Sequence, residues 1–257
     1  MELIQALKEV LFAYLLILAV VIFDIKNRYG VWNELLPVSV FSFLQLVLIG
    51  FVILYLTSLE NPLLNISVVL LMTVNAAFIS SKRFKVKAYK PFWVFFIAFL
   101  SIGTVNYFLL TSYGIIGVLK TKASMLIPFA GLLIAAGMRS ISLFSQYLED
   151  LLLKEREVLE GMFALGAPPK VVRNYLLKKA VPLTTVVIRD MLKAAGIVHI
   201  PGVMVGLLLA GTHPLVAATM QFLVLSSMLF SMFFTPIVFY YLITTFRGIY
   251  LISDRVE

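Results

Sequence analysis

Apolar residues run along this chain in long unbroken stretches, without the mixed spacing of a soluble amphipathic fold. The stretches lie at about Val10 to Phe23, Leu35 to Leu56, Leu63 to Ile79, Pro91 to Leu110, Met125 to Met138, Val181 to Ile200 and Leu215 to Thr244. Each is continuous over roughly 15 to 30 residues, whereas barrel strands are about 10 residues of alternating character. The pattern therefore predicts an all-α polytopic membrane protein of about seven transmembrane helices. Residues 1–257 are expected to form a single transmembrane domain with no separate soluble module. Composition agrees, with 61% hydrophobic residues, 13% charged and a mean hydropathy of +1.03. The first stretch follows Met1-Glu2, carries Glu9 and lacks a basic leader, so it is expected to stay as the first span.

Charge orients these spans. Lys26 and Arg28 follow the first; Lys82, Arg83, Lys85, Lys87 and Lys90 follow the third; Arg139, Lys154, Arg156, Lys170, Arg173, Lys178 and Lys179 follow the fifth; Arg247 and Arg255 follow the seventh. The opposite side holds only Lys8, Lys120 and Lys122. By the positive-inside rule this predicts an N-terminus outside and a C-terminus in the cytoplasm, in the plasma (inner) membrane. The net charge of +8 is thus a topology signal, and the expected partner is the lipid bilayer, with no nucleic acid. The absence of cysteine excludes disulfides, thiolate metal sites and Cys nucleophiles. Two histidines exclude a His-rich metal centre. No nucleotide-binding Gly-x-x-x-x-Gly-Lys-Ser/Thr loop, no His-Glu-x-x-His and no evident Ser-His-Asp arrangement occurs, so no catalytic residues are assigned.

The fifth span continues past the membrane. Beyond Met138, Ile141, Phe144, Leu148, Leu151, Leu152, Leu159 and Met162 recur at helical spacing with charges between them. A helix from Met125 to about Glu160 would be roughly 54 Å long, well beyond the ~30 Å hydrocarbon core. It is predicted to break at Leu165-Gly166-Ala167-Pro168-Pro169, with a new helix over Pro169 to Ala180. The result is a cytoplasmic helical elbow at about 139–180, with Phe163, Ala164 and Leu165 at its tip. An apolar knob in water is either a partner's docking point or a bare connector.

The sixth span carries charges at membrane depth. Arg189, Asp190 and Lys193 lie seven to eleven residues past Pro182, and each is costly there unless paired or hydrated. Asp190 and Lys193 share a helix face. They line a pathway or fix a subunit interface. Pro201-Gly202 then interrupts the helix, which is tolerated at membrane depth only inside protein or beside a cavity. The break exposes carbonyls for a cation, serves as a gate hinge, or is a kink. His199, His213, Met204 and Met220 surround it, types that suit a soft transition metal, although a helix-end His more often bonds backbone. The pathway candidates are Asp190, Lys193, His199, Pro201, Gly202 and Met204, with the identity of any bound metal unknown. Asn75, Asn106 and Gln45 read as interhelical hydrogen-bonding residues.

Several stretches carry a family resemblance. Glu160-Gly161-Met162-Phe163-Ala164-Leu165-Gly166 resembles the coupling loop that ABC permeases insert into their ATPase. Ile127-Pro128-Phe129-Ala130-Gly131, Ala164 to Pro168, Gly196 to Gly206 and Ala210 to Pro214, together with Asn75-Ala76-Ala77, resemble the FetB-type permease family. Its bacterial members are associated with iron export and its plant relatives with aluminium tolerance. The chain departs from that pattern with His199 for Ser, Val203 for Met and His213 for Asp. The resemblance implies the permease subunit of an ABC transporter, exporting a metal cation such as iron. It also implies a cytosolic ABC ATPase partner that holds ATP-Mg, a second copy of this chain, and no cofactor within it. Glu160, Phe163, Ala164, Leu165, Gly166 and Ala167 are the implied ATPase-coupling residues. The competing readings are a self-sufficient secondary transporter, an intramembrane enzyme, and an anionic or chelated substrate.

Overall fold

The computed structural model describes residues 2–59, 61–86, 89–117 and 123–249. Of the basic residues used for orientation, Lys87, Lys120, Lys122 and Arg255 lie outside them. Ten helices follow one another within the described residues: α1 Glu2–Asn27, α2 Trp32–Leu59, α3 Pro62–Ser81, α4 Pro91–Ile115, α5 Ala123–Lys154, α6 Arg156–Ala164, α7 Pro169–Thr184, α8 Val186–Ala194, α9 Gly202–Leu209 and α10 Pro214–Arg247. Six of them, α1 to α5 and α10, are long and apolar enough to cross a bilayer. The chain is a polytopic all-α membrane protein.

Two predicted helices differ from expectation. The Val181–Ile200 stretch is not one span, because α7 ends at Thr184, α8 ends at Ala194, and residues 195–201 are not helical. Pro182 removes a backbone donor just before the first break, and Gly196, at φ +83°, turns the chain at the second. The helix expected to run from Met125 to Glu160 stops at Lys154, and Glu155, at φ −112° and ψ 22°, separates it from α6.

Met1–Glu60 and Asn61–Glu257 form two compact units. In the first, α1 and α2 form a helical pair whose connection is closed by Asp24. Its buried carboxylate accepts from the Val31 and Trp32 amides at 3.0 and 2.8 Å, supplying the N-terminal turn of α2 with an acceptor. The rest of α2 is apolar on every side and exposed at Leu44, Leu46, Leu48 and Phe51, the surface of a helix that meets lipid.

In the second unit, α4 and α5 each pack against both α3 and α10, and α7, α8 and α9 lie against α10. Gly131 and Gly137 permit the close approaches along α5. A Cβ on Gly131 would sit 2.8 Å from Met72 Cε of α3. One on Gly137 would sit 3.1 Å from Asn106 Nδ2 of α4, and 3.2 and 3.3 Å from the Ser231 and Thr235 hydroxyls of α10. Small residues at such crossings replace the hydrophobic drive that lipid cannot supply. Buried hydroxyls return their protons to their own helices, as in Thr73 to Val69 O, Ser101 to Ile97 O and Ser145 to Ile141 O. Asn106, expected to bridge helices, also donates within its own, to Ile102 O at 2.8 Å, and Gln45 is exposed.

Candidate functional site

Two features stand out against this bundle: the turn between α6 and α7, and the broken segment α7–α9. The turn is built by Gly166. Its φ of +79° reverses the chain, its amide donates to Phe163 O at 2.9 Å, and the Ala167 amide donates to Met162 O at 2.9 Å. These two bonds satisfy carbonyls that the end of α6 would leave free. Pro168 and Pro169 then start α7, where a missing amide proton costs nothing. Glu160 is paired with Arg156 at 2.7 Å, and Phe163 is half-buried against the core, so neither is a free tip group. The tip is Leu165, 90% exposed, with Ala164 and Gly166 exposed beside it and Ala167 half-buried. Beneath it Leu159, Val172 and Leu176 are fully buried and hold the turn in place.

At the α7–α8 break, side chains take over the backbone's hydrogen bonding. Arg189 donates from its guanidinium to Pro182 O at 2.9 Å and Thr185 O at 3.4 Å, and Thr185 Oγ1 donates to Pro182 O at 3.0 Å. Arg189 is therefore a helix-end cap, not a free cation. Asp190 and Lys193 form an ion pair at 3.4 Å, 64% and 77% exposed, on the side of α8 opposite the fully buried Ile188. The link to α9 is a tight loop in which the Gly196 amide donates to His199 O at 2.9 Å. Ile197 and Val198 project from it almost fully exposed, whereas Pro201 is buried. Gly202 opens α9, and its third amide, Met204 N, donates to the Gln221 Oε1 of α10 at 3.1 Å.

The structure thus brings Asp190 and Lys193 together, and places His199, Pro201, Gly202 and Met204 in sequence around one bend. No hydrogen bond or ion pair among the described residues joins these two groups. His213 Nδ1 accepts from Leu215 N at 3.3 Å and caps α10. No group of three or more His, Cys, Asp or Glu side chains close enough to share a metal ion occurs among the described residues.

Two elements went unread in the sequence. Gln221 is the one side-chain amide in a helix whose other polar groups are mostly hydroxyls, a signal that marks a buried partner. Glu155 lies between α5 and α6, and its carboxylate accepts from Tyr175 OH at 2.7 Å and from Lys179 Nζ, both on α7. The hydrogen bond from Lys179, with that from Tyr175 second, holds the Glu155 carboxyl below its ordinary value, and Glu155 in turn raises the Lys179 ammonium.

This pairing of a broken apolar segment with an exposed helical turn can be set against known proteins. Residues 7–246 match the model of the uncharacterised protein family UPF0014. The chain belongs to this family. Among its relatives, the probable iron export permease protein FetB of Escherichia coli K12 is 27% identical over 238 residues, 93% of this chain and 90% of FetB. The protein ALUMINUM SENSITIVE 3 of Arabidopsis thaliana is 26% identical over 216 residues, 84% of this chain and 78% of its own length. The UPF0014 membrane protein YjkA of Bacillus subtilis 168 is 29% identical over 197 residues, 77% of each chain. No solved structure matches.

Proposed function

We propose that this UPF0014 member is the permease subunit of an ABC transporter, powered by a separate cytosolic ATPase that holds ATP-Mg. Two copies of the chain sit in the plasma membrane with N-termini outside and C-termini in the cytoplasm, the broken segment α7–α9 making the seventh crossing beside the six long helices, and together they export a metal cation such as iron. The observation that carries this reading is Leu165, an exposed apolar residue on a turn fixed by two backbone hydrogen bonds and buried leucines. Under this topology the turn lies in the cytoplasm, where lipid cannot cover it and a protein surface can. Glu160 and Phe163 support the turn from within, and Ala164 to Ala167 present its docking surface. The broken segment supplies the second half of the reading, because interrupted helices at membrane depth line pathways in transporters. Asp190 and Lys193 face outward from α8, and the Pro201-Gly202 bend with His199 and Met204 continues the same route.

The nature of the cargo rests on the relatives named for iron export and aluminium sensitivity and on the Asp190 carboxylate. Arg189 keeps its charge but is engaged on the Pro182 and Thr185 carbonyls, and the Asp190 carboxylate on the exposed face of α8 is paired with the Lys193 ammonium, which a bound cation would have to displace. Purified chain alone is expected to hydrolyse no ATP, and to gain hydrolysis when co-purified with its co-expressed ATPase. Robust hydrolysis by the isolated chain would overturn the proposal.

A further inference from the structure

The break at Glu155 raises a mechanical problem for the function proposed above, on which this inference rests. A turn that docks a partner can drive a membrane helix only if the two move together, yet α5 and α6 are separated by one non-helical residue. Such element-terminal residues are where hinges form. The backbone keeps one bond on each side of it, from Glu155 N to Leu151 O at 2.9 Å and from Leu159 N to Glu155 O at 3.0 Å, and the side chain of the break residue adds a link to α7. Glu155 Oε2 accepts from Tyr175 OH at 2.7 Å and Oε1 accepts from Lys179 Nζ, so one carboxylate grips two residues a helical turn apart on α7. Lys179 Nζ also lies 4.7 Å from the Tyr175 ring centroid, which closes the triangle. The charges beside Glu155 have partners of their own within single helices, Lys154 with Asp150 at 3.3 Å and Arg156 with Glu160 at 2.7 Å. Glu155 is thereby left to join one leg of the turn to the other.

We propose that Glu155 is a positioning residue for transport: its clasp on Tyr175 and Lys179 locks the α5–α6 break to α7, so that the docking turn and the membrane helices move as one lever. Partly exposed ion pairs contribute little to overall stability, so the clasp acts on the angle of the turn and not on the survival of the fold. A charge-assisted bond to a fixed carboxylate supplies direction that an apolar contact does not.

The absence of cysteine makes the test direct. Spin labels on Leu165→Cys at the tip and Phe246→Cys near the end of α10, both exposed, report the distance from the turn to the bundle in reconstituted full-length chain without any ATPase. The clasp predicts one narrow distance distribution. Glu155→Gln and Lys179→Met should each broaden it with little change in thermal midpoint, and the exchange Glu155→Lys with Lys179→Glu should narrow it again. Tyr175→Phe should give an intermediate width. A distribution unchanged by Glu155→Gln, or a broad one not restored by the exchange, overturns the inference, as does a large loss of thermal stability in Glu155→Gln, which would make the clasp a brace for the fold. Because no ATPase is present, these outcomes are independent of whether the chain docks one. The clasp pattern without any ATPase association would instead leave the lever intact and sink the proposed partnership.

Discussion

The helix α10 and the segment α7–α9 pack against each other, yet one is a single rod of 34 residues and the other is three pieces. Both contain proline. In α10, Pro236 cannot donate to Met232 O, and Thr184 Oγ1 of α7 approaches that carbonyl at 3.5 Å while also donating to Val181 O at 2.8 Å. The neighbour's hydroxyl lies against the freed carbonyl, and the helix continues, buried on its inner face at Ser231, Met232, Thr235 and Phe239. In α7, Pro182 is followed within three residues by a break, and the carbonyls there are met by Arg189 and Thr185 from the same segment. The contrast teaches that proline alone does not decide. The helix persists where neighbours pack around its proline, and it breaks where the segment carries side chains that meet its own free ends.

Substitutions can break this comparison in order of effect. The largest is expected at Gly137→Leu, where even the first added carbon meets Asn106, Ser231 and Thr235. Overpacking there should cost about 1–3 kcal/mol or more, read as a lower thermal midpoint of the purified chain, and it should loosen α10 along with α5. Next is Gln221→Leu, which leaves the Met204 amide without its acceptor. A lost buried partner costs about 1–3 kcal/mol, here felt locally as faster amide exchange in α9 with α10 unchanged. Arg189→Met should cost about 1 kcal/mol and speed exchange at the end of α7, because Pro182 O and Thr185 O lose the guanidinium. Asp190→Asn breaks an exposed pair and should change stability by less than about 1 kcal/mol, while altering metal flux if α8 lines the route. An equal effect of all four on global stability would show that the broken segment is simply part of the bundle.

The smallest effect concerns acidity. Because the folded-state value of Glu155 is depressed, its contribution is present above the unfolded value and is lost as pH falls through the folded one. Lys179, raised by its partner, contributes below its unfolded value and is lost only as pH rises through the folded one. The distance between turn and bundle should therefore hold across neutral and mildly acidic pH, and widen only below the ordinary carboxylate range.

How much of this was legible in the chain follows from what makes each element. Spans such as Pro91–Ile115 and Pro214–Arg247 are continuous apolar runs opened by proline at a helix start, and such runs admit one solution in a bilayer. The turn at Gly166 was legible for a similar reason, since glycine followed by two prolines can end one helix and start another. The break at Thr185 was not, because Val181 to Ile188 is as apolar as a true span and the cost of ending it is met by Arg189, whose geometry no pattern announces. Glu155 escaped notice because a glutamate set among Lys154, Arg156 and Glu157 reads as one more charge on a solvated face.

The central claim, that a partner drives this chain through the α6–α7 turn, is tested most directly by metal flux in sealed membrane vesicles carrying the chain with its co-expressed ATPase. Wild type is predicted to move iron only when ATP is supplied, and Leu165→Arg, which puts a charge where an apolar tip must dock, to lose that flux while keeping its thermal midpoint and membrane insertion. ATP-dependent flux that survives Leu165→Arg, or flux in wild type that needs no ATP, would contradict it.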